Sequence, residues 1–141
     1  MKYLFYPGCS MDTSALEYKR STVAVFEALG AELEEISDWT CCGASAASVA
    51  SDLLGYVLPA RNLALAEQIG EDLTIVAGCS ACYTNFRRTQ EAASEDRSLH
   101  EQINRALEVE DLTYRGKVQV RHLMDVLAND FSPEEIKAHV K

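Results

Sequence analysis

No stretch of the chain reaches the roughly 18 consecutive apolar residues that a membrane-spanning helix needs, and the N-terminus opens on a short apolar and aromatic run rather than a signal peptide. The expectation is a cytoplasmic protein without membrane insertion. Basic residues are also scarce: 13 Lys and Arg stand against 22 Asp and Glu, a net charge of −9. With no basic patch or run to neutralise phosphates, the footprint of a nucleic-acid binder is missing. Such a surface suits solubility and basic protein partners. Cysteines number five, and an odd count in a reducing compartment does not build a disulfide scaffold. With 141 residues, 48% of them hydrophobic, the chain can bury one ordinary core, whereas two domains would each be marginal.

What is present reads as alternating strands and helices. Lys2 to Tyr6 forms a buried strand ended by Pro7-Gly8. Ser14 and Glu17 have capping-box spacing, and Thr22, Val25, Phe26 and Leu29 keep helical period up to Gly30. Ala31 to Ile36, interrupted by Glu32, Glu34 and Glu35, is an edge strand or one with a wet face. Ala44 to Ile69 is a helix broken near Gly55 to Pro59 and stopped by Gly70, and Leu73 to Ala77 is the clearest buried strand. A helix from Ser80 to about Val109 follows, its distal half charged and solvent-facing. Lys117 to Val120 adds a strand, His122 to Asn129 a short helix, and Ser132-Pro133-Glu134-Glu135 starts another. This order predicts an α/β single domain of βαβ type, with a parallel sheet and right-handed crossovers. A faint repeat supports it: Glu27, Leu29, Gly30 and Leu33 recur as Glu67, Ile69, Gly70 and Leu73.

The chemistry lies in the cysteines. Cys9, the pair Cys41-Cys42, and Cys79-Ser80-Ala81-Cys82 each fall just after a predicted strand, and no cysteine lies elsewhere. In a parallel α/β sheet the carboxyl ends of the strands face one crevice, so the predicted fold brings the three groups together as a metal site. Cys79 and Cys82 sit at a helix start, where backbone N–H groups favour thiolate. Gly43 and Gly78 leave room for backbone beside a bulky inorganic ligand. Four thiolates suffice for tetrahedral zinc or a cubane cluster; a fifth is a bystander or belongs to a larger cluster in which one sulfur bridges metals. Iron–sulfur, zinc, and metal-free thiols or a redox disulfide are the readings in play, in that order.

Tyr6-Pro7-Gly8-Cys9, the Cys41-Cys42-Gly43 centre and the Gly78-Cys79-Ser80-Ala81-Cys82 close resemble, across essentially the whole chain, the CCG cysteine-rich domain, and within it the N-terminal half of the heterodisulfide reductase B subunit. The resemblance implies a noncubane [4Fe–4S] cluster held by Cys9, Cys41, Cys42, Cys79 and Cys82. It implies reductive cleavage of a disulfide of the coenzyme M and coenzyme B type, with electrons from partner iron–sulfur and flavin subunits. Members of the family usually carry two such motifs, so this chain, with one, is expected to be half of a two-motif subunit that works beside a second CCG domain. CCG domains also occur in subunits resembling glycolate, lactate and succinate oxidoreductases, where the domain relays electrons; the Tyr-Pro-Gly-Cys opening points to the heterodisulfide branch. A zinc-stabilised interaction domain is the third reading.

Among other residues, His122 is a candidate hydrogen-bond or proton donor to the site, with a simple cap on the strand-to-helix turn as its alternative. His100 and His139 read as solvent-facing. Trp39 and Tyr83 flank cysteines and read first as core packing, as do Tyr3, Phe5 and Tyr6, although Tyr6 can approach the site. Arg87 and Arg88 can attract an anionic substrate or a partner, but adjacent arginines on a helix are usually a solvated face.

Overall fold

In the computed structural model, which describes residues 1–141, four parallel strands form one sheet: β1 (Lys2–Tyr6), β2 (Glu32–Glu35), β3 (Thr74–Ala77) and β4 (Gln119–His122), in the order β2-β1-β3-β4. Tyr3 pairs with Leu33 on one side of β1, Tyr6 pairs with Ala77 on the other, and Ala77 in turn pairs with His122. The strand order reverses between β1 and β3. At such a switch point successive crossovers leave on opposite faces and open a crevice above the strand ends. The α/β parallel fold is as expected.

Period-two alternation along β1 feeds two cores. Tyr3 joins Val76, Phe26, Leu123, Val126 and Phe131 on one face, under α2 (Leu16–Ala28) and α7 (Leu123–Asn129). Leu4 and Tyr6 join Ile75, Ala77, Val120 and Phe86 on the other, under α4 (Asp52–Ile69), α5 (Ser80–Glu95) and α6 (Arg97–Leu107). β2 is an edge strand, as its three glutamates require, and only β1 flanks it.

Several boundaries differ from those the sequence pattern predicts. The Ser14–Glu17 capping box does not form: the chain first makes a single turn, α1 (Gly8–Met11), and α2 is capped at Ala15 without a side-chain bond. Instead Ala15 N–H donates to Ser10 O (2.7 Å), so the approach to α2 is set by α1. The helical break is at Ser51, not at Gly55 to Pro59. Ser51 is extended (φ −165°, ψ 134°) between α3 (Ala47–Ala50) and α4, and its hydroxyl accepts from Leu54 N–H. Gly55 and Pro59 lie inside α4, and helix packing overrides their poor propensity.

The expected long helix from Ser80 is two helices. Asp96 breaks it with extended backbone and caps α6 by accepting from Leu99 N–H (3.1 Å). The distal part is not simply solvent-facing, because α6 buries Ile103 and Leu107 against the α4 side of the core. The last strand runs two residues later than predicted, which makes His122 its final residue. α8 (Pro133–His139) starts as expected, with Ser132 and Glu135 in a reciprocal capping box.

Candidate metal centre

All five cysteines follow the carboxyl ends of β1, β2 and β3. Cys9 lies in α1, directly after β1; Cys41-Cys42 lie in the loop after β2; Cys79 caps α5, and Cys82 sits in its first turn. All carry free thiols. Cys42 and Cys82 are buried, Cys79 is half-buried, and Cys9 and Cys41 are exposed, so the group has a closed inner side and an open outer one.

Two of the sulfurs are in direct contact. Cys42 Sγ and Cys82 Sγ lie 3.3 Å apart although 40 residues separate them in sequence. Cys9 and Cys42 bear on the titration of Cys41, and Cys79 with Cys42 on that of Cys82. As placed, no three of these side chains converge as ligands of a single ion. The fit to a cluster lies in the donor chemistry: five soft thiol donors, brought from three strand ends to one crevice.

Electrostatics differentiate the sulfurs. The contact with Cys82, opposed by burial and aided by backbone N–H groups of Ala44 and Cys42, holds the Cys42 thiol below its usual range. The same pairing, with burial, pushes Cys82 far upward and keeps its proton in place. At Cys41 the Gly43 N–H, 3.4 Å from the sulfur, favours thiolate, but burial together with Cys42 and Cys9 outweighs it and raises the thiol.

Tyr6 forms the floor. It is 1% exposed, and its hydroxyl donates to Thr40 O at 2.7 Å. Burial first, then the sulfurs of Cys42, Cys82, Cys41 and Cys9, push its phenol far above the usual range, so it remains a neutral donor. Trp39 and Phe86 meet its ring edge-on at 5.3 and 4.8 Å. Tyr6 thus does approach the site, while Trp39 packs on it and bonds Glu35 through its indole N–H.

Two asparagines that no sequence motif singles out hold the Cys41-Cys42 loop. Asn62, fully buried, accepts from Thr40 N–H and donates to Thr40 O, both at 2.8 Å. Asn85 donates to Cys42 O at 2.5 Å. Their signal in the sequence is a carboxamide inside an otherwise apolar helical face: Asn62 lies between Ala60 and Ala66, and Asn85 lies beside Phe86. A buried carboxamide needs partners, and here they are the backbone of the cysteine loop.

The glycines act differently from expectation. A Cβ at Gly78 would meet Met11, so that room is filled by α1 rather than left for a ligand, and Tyr18 fastens the same turn by donating to Gly78 O at 3.2 Å. Gly43 has φ +76°, and a Cβ there would lie 2.8 Å from Ala47 Cβ and 3.1 Å from Leu58 Cδ1. It is Gly8, in the Tyr-Pro-Gly-Cys opening, whose missing Cβ faces a sulfur, Cys82 Sγ at 3.3 Å. Gly43→Ala is expected to cost about 2 kcal/mol through the left-handed backbone and the clash, read as a lower urea midpoint. An unchanged midpoint would mean that the loop readily takes another shape.

His122 fulfils its simpler reading and more. Nδ1 accepts from Met124 N–H at 3.2 Å and caps α7; Nε2 lies 3.3 Å from Ser80 Oγ, inside the Cys79–Cys82 turn. With Nδ1 an acceptor, the neutral ring carries its proton on Nε2, an assignment that rests on the hydrogen-bond pattern. Tyr83 meets the His122 ring edge-on at 5.8 Å. His139 is exposed, but His100 is half-buried, its Nε2 2.8 Å from Tyr114 O, because α6 folds back onto the core.

Over 140 residues the chain is 40% identical to the 8-methylmenaquinol:fumarate reductase membrane anchor subunit of Wolinella succinogenes, a match covering 99% of this chain and 47% of that one. It is 30% identical over 142 residues to a protein of Archaeoglobus profundus resembling the heterodisulfide reductase B subunit, covering 100% and 47%. The B subunit of a ferredoxin/F420H2-dependent CoB-CoM heterodisulfide reductase of Methanosarcina acetivorans matches at 23%, covering 99% and 46%. The chain spans about half the length of these relatives. No helix of this chain is long and apolar enough to cross a membrane. The fold matches a crystal structure of a hypothetical protein from Helicobacter pylori with a TM-score of 0.78 at 16% identity, covering 91% of this chain and 25% of that one. Residues 3–87, a span that contains every cysteine and ends inside α5, match the cysteine-rich CCG domain, and the chain belongs to that family.

Proposed function

We propose that this chain is the iron–sulfur domain of a reductase subunit, holding a noncubane [4Fe–4S] cluster through Cys9, Cys41, Cys42, Cys79 and Cys82. The observation that carries the reading is the gathering of five cysteines just past three neighbouring strand ends, with Cys42 Sγ and Cys82 Sγ 3.3 Å apart on the buried side. When bound, such a cluster supplies one-electron chemistry. The surrounding residues bind and insulate. Tyr6, Trp39 and Phe86 keep water from the inner side, Asn62 and Asn85 hold the Cys41-Cys42 loop, and the Cys9–Cys41 edge faces outward. His122, with Nε2 toward Ser80, is the candidate proton donor for a released thiolate.

Two substrates fit this role. Similarity to heterodisulfide reductase B subunits supports cleavage of a CoB–CoM-type disulfide, with a second CCG domain and electron-donating subunits as partners. The higher identity to the fumarate reductase subunit supports the other reading, an electron relay in a succinate- or fumarate-type complex. Iron, sulfide and zinc analysis with electron paramagnetic resonance on anaerobically reconstituted protein tests the shared claim. About four iron and four sulfide per chain are expected. Stoichiometric zinc with no iron uptake would replace the cluster with a structural zinc site. Menaquinol:fumarate and disulfide-reduction assays on the native complex separate the two substrates.

A further inference from the structure

A cavity of about 320 Å³ opens beside the cysteine centre, lined by Gly43, Ser48, Ser80, Thr84, Asn85 and Arg88 among others. It touches both halves of the metal motif, the glycine of Cys41-Cys42-Gly43 and the serine between Cys79 and Cys82. Its lining mixes polar and apolar surface about equally, with Arg88 its one charged side chain.

Arg88 is placed rather than loose. Its guanidinium carbon lies 5.1 Å from the centre of the Tyr56 ring, a cation–π contact, and Nη2 lies where a Cβ on Gly55 would stand only 3.5 Å away. Yet it makes no hydrogen bond or ion pair in the structure. In this chain of net charge −9, Arg61, Arg97, Arg115 and Arg121 all pair with carboxylates, and the adjacent Arg87 bonds Gln90. Arg20 and Arg105 are also unpaired and, like Arg88, exposed, but neither stacks on a ring, so among the unpaired arginines Arg88 alone is held in one direction. Stacking on an aromatic face fixes a guanidinium's direction while leaving its in-plane donors available, the geometry that binds an oxyanion by two parallel hydrogen bonds. The Ser48 and Thr84 hydroxyls, likewise without partners in the structure, supply further donors.

We infer that this cavity binds the oxyanion group of a small-molecule substrate, a carboxylate, sulfonate or phosphate, with Arg88 as the recognition residue. The inference deepens the reductase reading and rests on it for the meaning of the ligand: the anion would be held against Gly43 and Ser80, the residues next to Cys42 and Cys79 in the chain. Fumarate carries carboxylates, and thiol coenzymes carry sulfonate, carboxylate or phosphate, so the charged group is shared and its carrier is what the probes distinguish.

The test is titration of the full chain, without iron, with fumarate, 2-mercaptoethanesulfonate and inorganic phosphate in turn, followed by amide and arginine Nε–H NMR shifts. Saturable shifts at Arg88, Ser80 and Gly43 are expected with at least one probe, and the strongest binder identifies the carrier. Arg88→Gln should weaken binding about tenfold or more, the worth of a charge-assisted hydrogen bond. Arg87→Gln should leave it unchanged, and Arg88→Lys should retain part of it. No saturable shift with any probe, or equal weakening by Arg87→Gln and Arg88→Gln, would overturn the site, the latter reducing it to bulk charge. Iron uptake is measured separately on the same variants. Failure of the wild type to load iron would strike the reductase reading, while the anion titration would still decide the cavity.

Discussion

Replacing Cys42 by serine is expected to lower iron after anaerobic reconstitution from about four per chain to below about one, with Cys41→Ser behaving alike. Serine is close in volume to cysteine, so the loop should keep its shape while losing a soft donor that its alcohol cannot replace at neutral pH. Cys42 is buried 3.3 Å from Cys82 Sγ, on the closed side of the centre. Far-ultraviolet circular dichroism should be unchanged, which separates loss of the ligand from loss of the fold. His122→Ala is the contrasting variant, expected to keep its iron because the ring reaches Ser80 rather than a sulfur. Equal iron in all five cysteine variants would sink the ligand assignment.

The largest stability effect is expected at Glu67, whose side chain is fully buried near the end of α4. Its two oxygens accept from Arg115 N–H and Lys117 N–H, both at 2.8 Å, and so pin the turn that enters β4. Glu67→Ala removes the acceptor of two part-buried backbone donors and leaves a hole, a loss of about 2 to 3 kcal/mol by urea denaturation. Glu67→Gln, which keeps one acceptor, should lie between that and the wild type. If Glu67→Ala costs no more than a substitution of the exposed Glu101, the pin contributes nothing. The consequence reaches the candidate site, since β4 ends on His122 and a displaced β4 withdraws that ring from Ser80.

Glu67 also shows where reading the sequence stops. The repeat that matches Glu27 with Glu67 and Gly30 with Gly70 correctly identifies two helix ends feeding two strands. Its members nevertheless have different fates. Glu27 is exposed while Glu67 is 3% exposed, and Gly30 takes φ +72° while Gly70 is extended at φ 176°. The pattern encodes the local event, a helix stopping before a strand. Whether a carboxylate there meets water or two backbone amides depends on a turn 48 residues away.

The alternation of strands and helices, the wet edge strand and the cysteines at three strand ends were all legible in the sequence, because hydrophobic period, turn residues and strand-end position are local properties. Helix boundaries were less so. Gly55 and Pro59 look like a break, yet helix packing carries α4 through them, while Ser51 and Asp96 break helices with side-chain caps that cost little to form. Only the folded chain decides that Cys42 meets Cys82 across 40 residues, that Asn62 and Asn85 hold the cysteine loop, and that Arg88 lies stacked and unpaired over Tyr56. Those are pairings between elements, set by how the faces of α4 and α5 meet above the sheet, and no period within either helix specifies the partner it will find.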